Sequence, residues 1–316
     1  MSKRICIIGG TGFVGRAIAR QAVDAGHEVV VTSRHPDRAR DLQVRGIKVI
    51  KANVTTGKGL EQAFSNSDCV INLVGLLFET RLNTFKAAHI QGAQNVIEAC
   101  RNAGVPQLLH MSALLSDDAI KNSQYGQSKV AAEELVRQSD LQWSIFRPSI
   151  IFGAYDSFLM RFKCLSSFGP VLPVIAGDTK FQPVWVEDVA RAFVLSIGNK
   201  QIKEQTFTLA GSNIFTFKEM LNLWMSALGR CKRLVALPNF AASFLAFISK
   251  LLPTPLITND QLILLKSDNI AQGESFPAIF GQTASFKELL HTLANGSQAE
   301  SLQCRLDQAR THYRKS

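Results

Sequence analysis

An α/β architecture built on a parallel, doubly wound sheet is predicted for the first two hundred residues, and three observations predict it. Short apolar runs alternate with amphipathic helical stretches. The runs are continuously apolar, as expected of strands covered by helices on both faces. The first run breaks into "GGTGFVG", residues 9–15, where a helix begins. The preferred handedness of strand–helix–strand crossovers then selects the doubly wound arrangement.

The elements follow in order. "RICIIGG" predicts the first strand and "HEVVVTSR" the second, with "PDRARDLQVRG" as a short helix after it. "IKVIKANV" and "DCVINLVG" predict the third and fourth strands, and one helix runs through "FKAAHIQGAQNVIEACRNAG". "QLLHMSA" is the fifth strand, "YGQSKVAAEELVRQ" a helix and "QWSIFRPS" the sixth strand. Beyond Phe152 the alternation weakens, which predicts a small C-terminal mixed α/β lobe. The expected division is 1–155 for the large domain, with 181–200 returning to it. Segments 156–180 and 201–316 form the smaller substrate or docking lobe.

The chain has 316 residues, 46% hydrophobic and 19% charged, as in an ordinary globular protein. Its six cysteines are scattered without CxxC pairs, which suggests a reducing compartment, no disulfides and no metal. No HExxH or GxSxG occurs, so zinc-protease and α/β-hydrolase chemistry are excluded. The net charge of +10 is spread without basic blocks or interleaved aromatics, so no nucleic-acid partner is expected. The opening apolar run, Ile5 to Ile8, is too short for a signal peptide, and no segment approaches a membrane span. A cytoplasmic location is expected. The apolar stretch 240–252 leaves two readings open: core, or a peripheral contact with the inner membrane face or a respiratory complex.

Gly9, Gly12 and Gly15 stand at the spacing of a dinucleotide-binding turn between strand and helix, the mark of a Rossmann fold. Gly9 permits the sharp turn, Gly12 the approach of a diphosphate and Gly15 close packing. Thr11, Gly12, Phe13 and Val14 bring the helix amides to the phosphates. The second strand ends in Ser33 and Arg34, without the acidic residue an NAD site usually carries there. Arginine and serine suit a 2′-phosphate, so NADP(H) is expected over NAD(H). Asn53 and Val54 end the third strand beside the adenine. Leu73, Val74 and Gly75 end the fourth, with Gly75 allowing close passage of the cofactor. Tyr125 and Lys129 stand one helical turn apart, on one helix face. A phenol needs a nearby cation to act near neutral pH.

"GGTGFVG", "LVG", "YGQSK" and "RPSIIFG", in this order, resemble the extended and atypical short-chain dehydrogenases/reductases, and the likeness covers most of the chain. "RPSIIFGAYDSFL", "FQPVWVEDVARAF" and "LPTPLITNDQLILLKSDNI" are similar to the branch containing the nucleotide-binding accessory subunit of respiratory complex I and its bacterial relatives. The resemblance implies that Tyr125 exchanges a proton with a substrate carbonyl or alcohol. It implies that Lys129 lowers the tyrosine pKa and bonds the nicotinamide ribose, and that Pro148 and Ile150 pack on the nicotinamide. Ser112 is the candidate orienting hydroxyl, but it stands early, and Ala113 and Leu114 follow where hydroxyls usually cluster. His89 replaces the helper asparagine. Two functions remain open: an NADP(H)-dependent oxidoreductase or epimerase-like enzyme acting on a small or isoprenoid-type substrate, and a non-catalytic NADPH-binding accessory protein of a respiratory or quinone-related assembly.

Overall fold

Ile5 and Ile7 leave one face of the first strand and Cys6 and Ile8 the other, and all four are buried. A strand with both faces covered must read as an unbroken apolar run, which is why the opening of the chain looks as it does. The computed structural model describes residues 2–80, 83–154, 156–167, 169–238 and 258–295.

The first part runs β1 (Arg4–Ile8), α1 (Phe13–Asp24), β2 (Glu28–Ser33), α2 (Arg40–Val44), β3 (Lys48–Lys51), α3 (Leu60–Phe64) and β4 (Cys69–Asn72). Then come α4 (Gly92–Asn102), β5 (Gln107–Met111), α5 (Asp117–Asn122), α6 (Gln124–Arg137), β6 (Gln142–Pro148) and β7 (Ile151–Phe152). The rest is α7 (Ser157–Leu165), β8 (Val171–Val174), β9 (Lys180–Phe181), β10 (Val184–Trp185), α8 (Val186–Ser196) and β11 (Gln205–Leu209). After these stand β12 (Phe215–Thr216), α9 (Phe217–Ala227), β13 (Arg233–Ala236) and α10 (Asn259–Lys266).

Seven strands form one parallel sheet in the order β11-β6-β5-β4-β1-β2-β3. The strand order reverses between β1 and β4, and a doubly wound sheet opens its ligand crevice at such a point. One core lies between the sheet and α1 and α8, with Ile18, Val31, Ile71, Phe146 and Phe193 at its centre. The other lies beneath α4 and α6, with Val30, Val70, Val96, Leu108 and Val136. Cys6, Cys69 and Cys100 fill this second core, and burial pushes all three thiols well up.

A third core gathers Phe152, Leu172, Phe181, Phe217, Trp224 and Phe286 beyond the ends of β5 and β6. Trp224 Nε1 donates to Leu159 O at 2.9 Å, so the indole is buried without losing its hydrogen bond. Short pairs β7–β10, β9–β12 and β8–β13 frame this lobe. α9 opens with a capping box between Thr216 and Glu219.

Two local expectations change. The sequence places residues 205–209 in the smaller lobe, but they form β11 on the edge of the large sheet, in register with Ser144–Pro148. Phe207 and Leu209 go inward there, and the strand covers an edge that β6 would otherwise expose. The helix expected from 85 onward starts as a π-helical turn, Lys86–Gln91, before settling into α4. Its inward side chain is His89, held by bonds outside its own helix. Among the described residues no helix is long and apolar enough to cross a membrane. The stretch 240–252 lies outside the described residues.

Candidate functional site

The crevice is built from backbone first. Gly9 has φ +79, a conformation that L side chains avoid, and its carbonyl accepts the amide of Gly12 at 3.0 Å. A Cβ on Gly15 would stand 2.4 Å from Gly9 O, so only glycine lets the helix sit this close to the turn. The closest neighbours at Gly15 thus belong to the turn itself, not to a strand. The N-cap of α1 is Gly12, which offers no side chain, and no acid lies in the first turn. The leading amides of α1, from Phe13 and Val14 on, therefore have no internal acceptor and face the crevice mouth. Val14 is buried in the core, so its contribution to a ligand is its amide. Arg16 Nε donates to Thr11 O at 3.0 Å and steadies the turn. This uncapped, glycine-lined cradle fits a diphosphate.

Ser33 ends β2 with its hydroxyl accepting from His35 N at 3.1 Å. Arg34 is exposed and donates to Asn83 Oδ1 at 3.2 Å. Asn53 turns back on its own loop, its Oδ1 accepting from Thr55 N and Thr55 Oγ1 at 3.0 and 2.8 Å. What it can offer an adenine is its amide nitrogen. Val54 is buried against Gly92, and its carbonyl accepts from Asn95 at 2.8 Å.

At the end of β4, Leu73 enters the core and Val74 N donates to Asn72 Oδ1 at 3.2 Å. Asn72 Nδ2 reaches His110 Nδ1 at 3.2 Å. A Cβ on Gly75 would lie 3.2 Å from Lys129 Nζ, so the chain passes directly over the ammonium. Lys129 is buried and its Nζ donates to Met111 O at 3.3 Å. Burial lowers its pKa to about 8, opposed by the charge of Glu133. Tyr125 is buried one turn earlier, and burial raises its phenol to about 12. Its ring meets Phe85 and His89 edge-on, at centroid distances of 5.8 and 5.7 Å.

His89 has no nitrogen to spare. Nε2 accepts the amide of Leu76 at 2.9 Å, and Nδ1 stands 2.8 Å from Ser128 Oγ, whose proton goes to Tyr125 O. Burial, then the charge of Lys129, lowers the imidazole to about 3. It is therefore a neutral strut and carries no proton relay.

Ser112 lies behind the pair. It lines a cavity of about 30 Å³ with Leu114, Lys129, Glu133 and Arg147. Its Oγ is buried and unpartnered. It is near enough to favour the Glu133 carboxylate, without the alignment of a hydrogen bond. Arg147 is committed to Glu133. Pro148 closes β6, its carbonyl accepting from Leu114 N at 2.8 Å, and Ile150 edges the lobe core. Sequence reasoning missed Phe85, Glu133, Asp260 and Asn269. Only Glu133 carried a signal, one helical turn beyond Lys129.

The site joins an amide cradle at a helix N-terminus to a buried tyrosine–lysine pair across one parallel-sheet crevice. Residues 9–153 match the family model described as NAD(P)H-binding. That part of the chain is an NAD(P)H-binding domain with a Rossmann-type parallel sheet. The chain is similar to NADH dehydrogenase [ubiquinone] 1 alpha subcomplex subunit 9, mitochondrial, of Dictyostelium discoideum, at 29% identity over 77% of this chain and 68% of the relative. It is also similar to the ceramide reductase of Caulobacter vibrioides, at 27% identity over 91% and 84%. In fold it resembles the Citrobacter sp. triphenylmethane reductase complexed with NADP(H), with a TM-score of 0.72 at 18% identity over 92% of this chain and 99% of that one.

Proposed function

We propose that this protein is an NADP(H)-dependent oxidoreductase, or an epimerase-like enzyme of the same architecture, with Tyr125 as acid/base and Lys129 as its activator. The observation that carries this reading is the buried Lys129 ammonium held directly beneath Gly75, one turn from the buried Tyr125. The cradle at Gly9–Val14 would hold the diphosphate, Ser33 and Arg34 the 2′-phosphate, and Lys129 the nicotinamide ribose. The bound cofactor supplies or accepts a hydride at a carbon of the substrate. Tyr125 gives its proton to the carbonyl oxygen as that carbon is reduced, or takes it from the alcohol in reverse. The Lys129 charge stabilises the phenolate left behind, offsetting the cost of its burial. Residues 1–155, 181–200 and 205–209 form the cofactor domain, and the remaining lobe shapes the substrate side. The apolar Ala113 and Leu114 favour a substrate poor in polar groups, of the small or isoprenoid type.

A specific observation favours a second reading. His89 is locked neutral, and the unpartnered Ser112 hydroxyl sits in the cavity behind the pair, so neither residue is placed to relay a proton or to orient a substrate carbonyl. On that reading the protein binds NADPH without turnover and docks peripherally on a respiratory or quinone-related assembly, as the names of several relatives suggest.

Mass identification of the released nucleotide tests the cofactor, and NAD in place of NADPH overturns the reading of Arg34. NADPH-dependent reduction of a carbonyl or quinone panel, compared with Tyr125→Phe, tests the enzyme. Turnover that disappears in the variant supports it. No turnover, with tight NADPH retention in both proteins, supports the accessory role.

A further inference from the structure

Tyr125 is the second residue of α6, so the first turn of that helix sets where the phenol stands. Three amides of this turn need acceptors. The local one is met by the N-cap: Ser123 Oγ accepts from Gly126 N at 2.9 Å. The other two are met from the opposite end of the chain. Asp260 accepts from Tyr125 N at 2.7 Å through Oδ2 and from Gln124 N at 3.3 Å through Oδ1.

Asp260 is not occupied with its own helix. α10 is already closed by a capping box in which Thr258 and Gln261 satisfy one another. A carboxylate at a helix N-terminus also meets the positive end of the helix dipole. Nine residues on, Asn269 ties down the surroundings of the phenol. Its Nδ2 donates to Leu114 O after β5, and its Oδ1 accepts from Ser149 Oγ and from Ile150 N after β6. A single stretch, 258–269, thus grips the catalytic helix and both strand ends beside it.

We infer that Asp260 is the positioning residue for Tyr125, and that the smaller lobe, not the Rossmann domain, holds the acid/base in register with the cofactor. The inference rests on the reading of Tyr125 as acid/base. Removal of the carboxylate leaves the Gly9–Val14 cradle intact, so nucleotide affinity and phenol placement separate.

The test uses the full-length protein labelled with 3-fluorotyrosine. The chain has three tyrosines, so each gives its own fluorine resonance, and Tyr125→Phe identifies the one of interest. The resonance is followed against pH, with and without NADPH. In Asp260→Ala the Tyr125 midpoint should fall by about half a pH unit or more as the turn loosens and the ring gains water, with NADPH affinity changed less than about twofold. The NADPH-induced shift of the resonance should shrink. Asp260→Asn keeps one acceptor oxygen and should lie between the two proteins; it carries the same test if the alanine variant does not fold. An unchanged midpoint and an unchanged NADPH shift in a folded variant overturn the inference. Absence of any NADPH shift in the unmodified protein would instead sink the acid/base reading, while the midpoint comparison still reports on Asp260.

Discussion

Arg147 reaches from β6 to the buried carboxylate of Glu133 on α6, with Nε 2.9 Å from Oε1 and Nη2 2.5 Å from Oε2. Arg137 shares Oε2 at 2.5 Å. Burial alone would raise the Glu133 carboxyl, but the two guanidiniums hold it below its ordinary value. Glu133 in turn faces Lys129 one turn away and supports its charge. Arg147 is therefore a clasp between β6 and α6.

Glu133→Gln should cost about 2–3 kcal/mol in urea unfolding, because it leaves two guanidiniums against a neutral amide. Arg147→Leu should cost about 2 kcal/mol, since Arg137 remains and Arg147 is partly exposed. The electrostatic consequence is separate from stability. With Glu133 neutral, Lys129 loses its proton at lower pH. NADPH affinity, which should weaken as pH rises through about 8, should then begin to weaken earlier in E133Q. Fluorescence titration of NADPH between neutral and alkaline pH reads this directly, and an unmoved profile would disconnect Lys129 from the cofactor.

Gly15→Ala drives a methyl into Gly9 O and the backbone of Gly10. The helix must back away from the turn, at a cost of about 1–3 kcal/mol. The amides of Phe13 and Val14 move with it, so NADPH affinity should fall at least about tenfold. Calorimetric titration of the variant checks both effects, and binding as tight as in the parent protein would mean that the cradle is not the diphosphate site.

Arg34→Glu should discriminate the two cofactors. The guanidinium just beyond β2 is exposed and is the group proposed to meet a 2′-phosphate. Reversal of its charge should weaken NADPH about tenfold or more and leave NADH within about threefold. Equal losses for both would show that Arg34 does not read the phosphate.

Acid should destabilise this fold early. His89 and His110 are both held down to about 3, first by burial and then by the charge of Lys129. Each takes up a proton near 6.5 once unfolded. Between these values the unfolded chain binds more protons, so stability is full above about 6.5 and is lost as pH falls towards 3. Each histidine adds a slope of up to about 1.4 kcal/mol per pH unit. His110→Asn should flatten the decline in melting temperature between pH 7 and 5. A decline as steep as in the parent would clear His110 of any role in it.

The glycine turn, the succession of the first six strands along the chain and the Tyr125–Lys129 spacing were legible because each is written locally. A fully covered strand must be apolar throughout, a turn at positive φ selects glycine, and two groups one turn apart on a helix share a face. The return of β11 to the sheet was not legible. A five-residue apolar strand fits any sheet edge, and only the open flank of β6 decides which one it joins.

From sequence alone came the glycine turn and the one-turn spacing of Tyr125 and Lys129, since short-range geometry dictates both. The tertiary structure alone decided what surrounds that pair. His89 became a neutral strut, Ser112 was turned into the cavity behind it, Glu133 was clasped by Arg147, and Asp260 was brought 135 positions back along the chain to the amide of Tyr125. Such contacts leave no periodicity to read, because a buried donor takes whichever acceptor the packing of the lobes delivers to it.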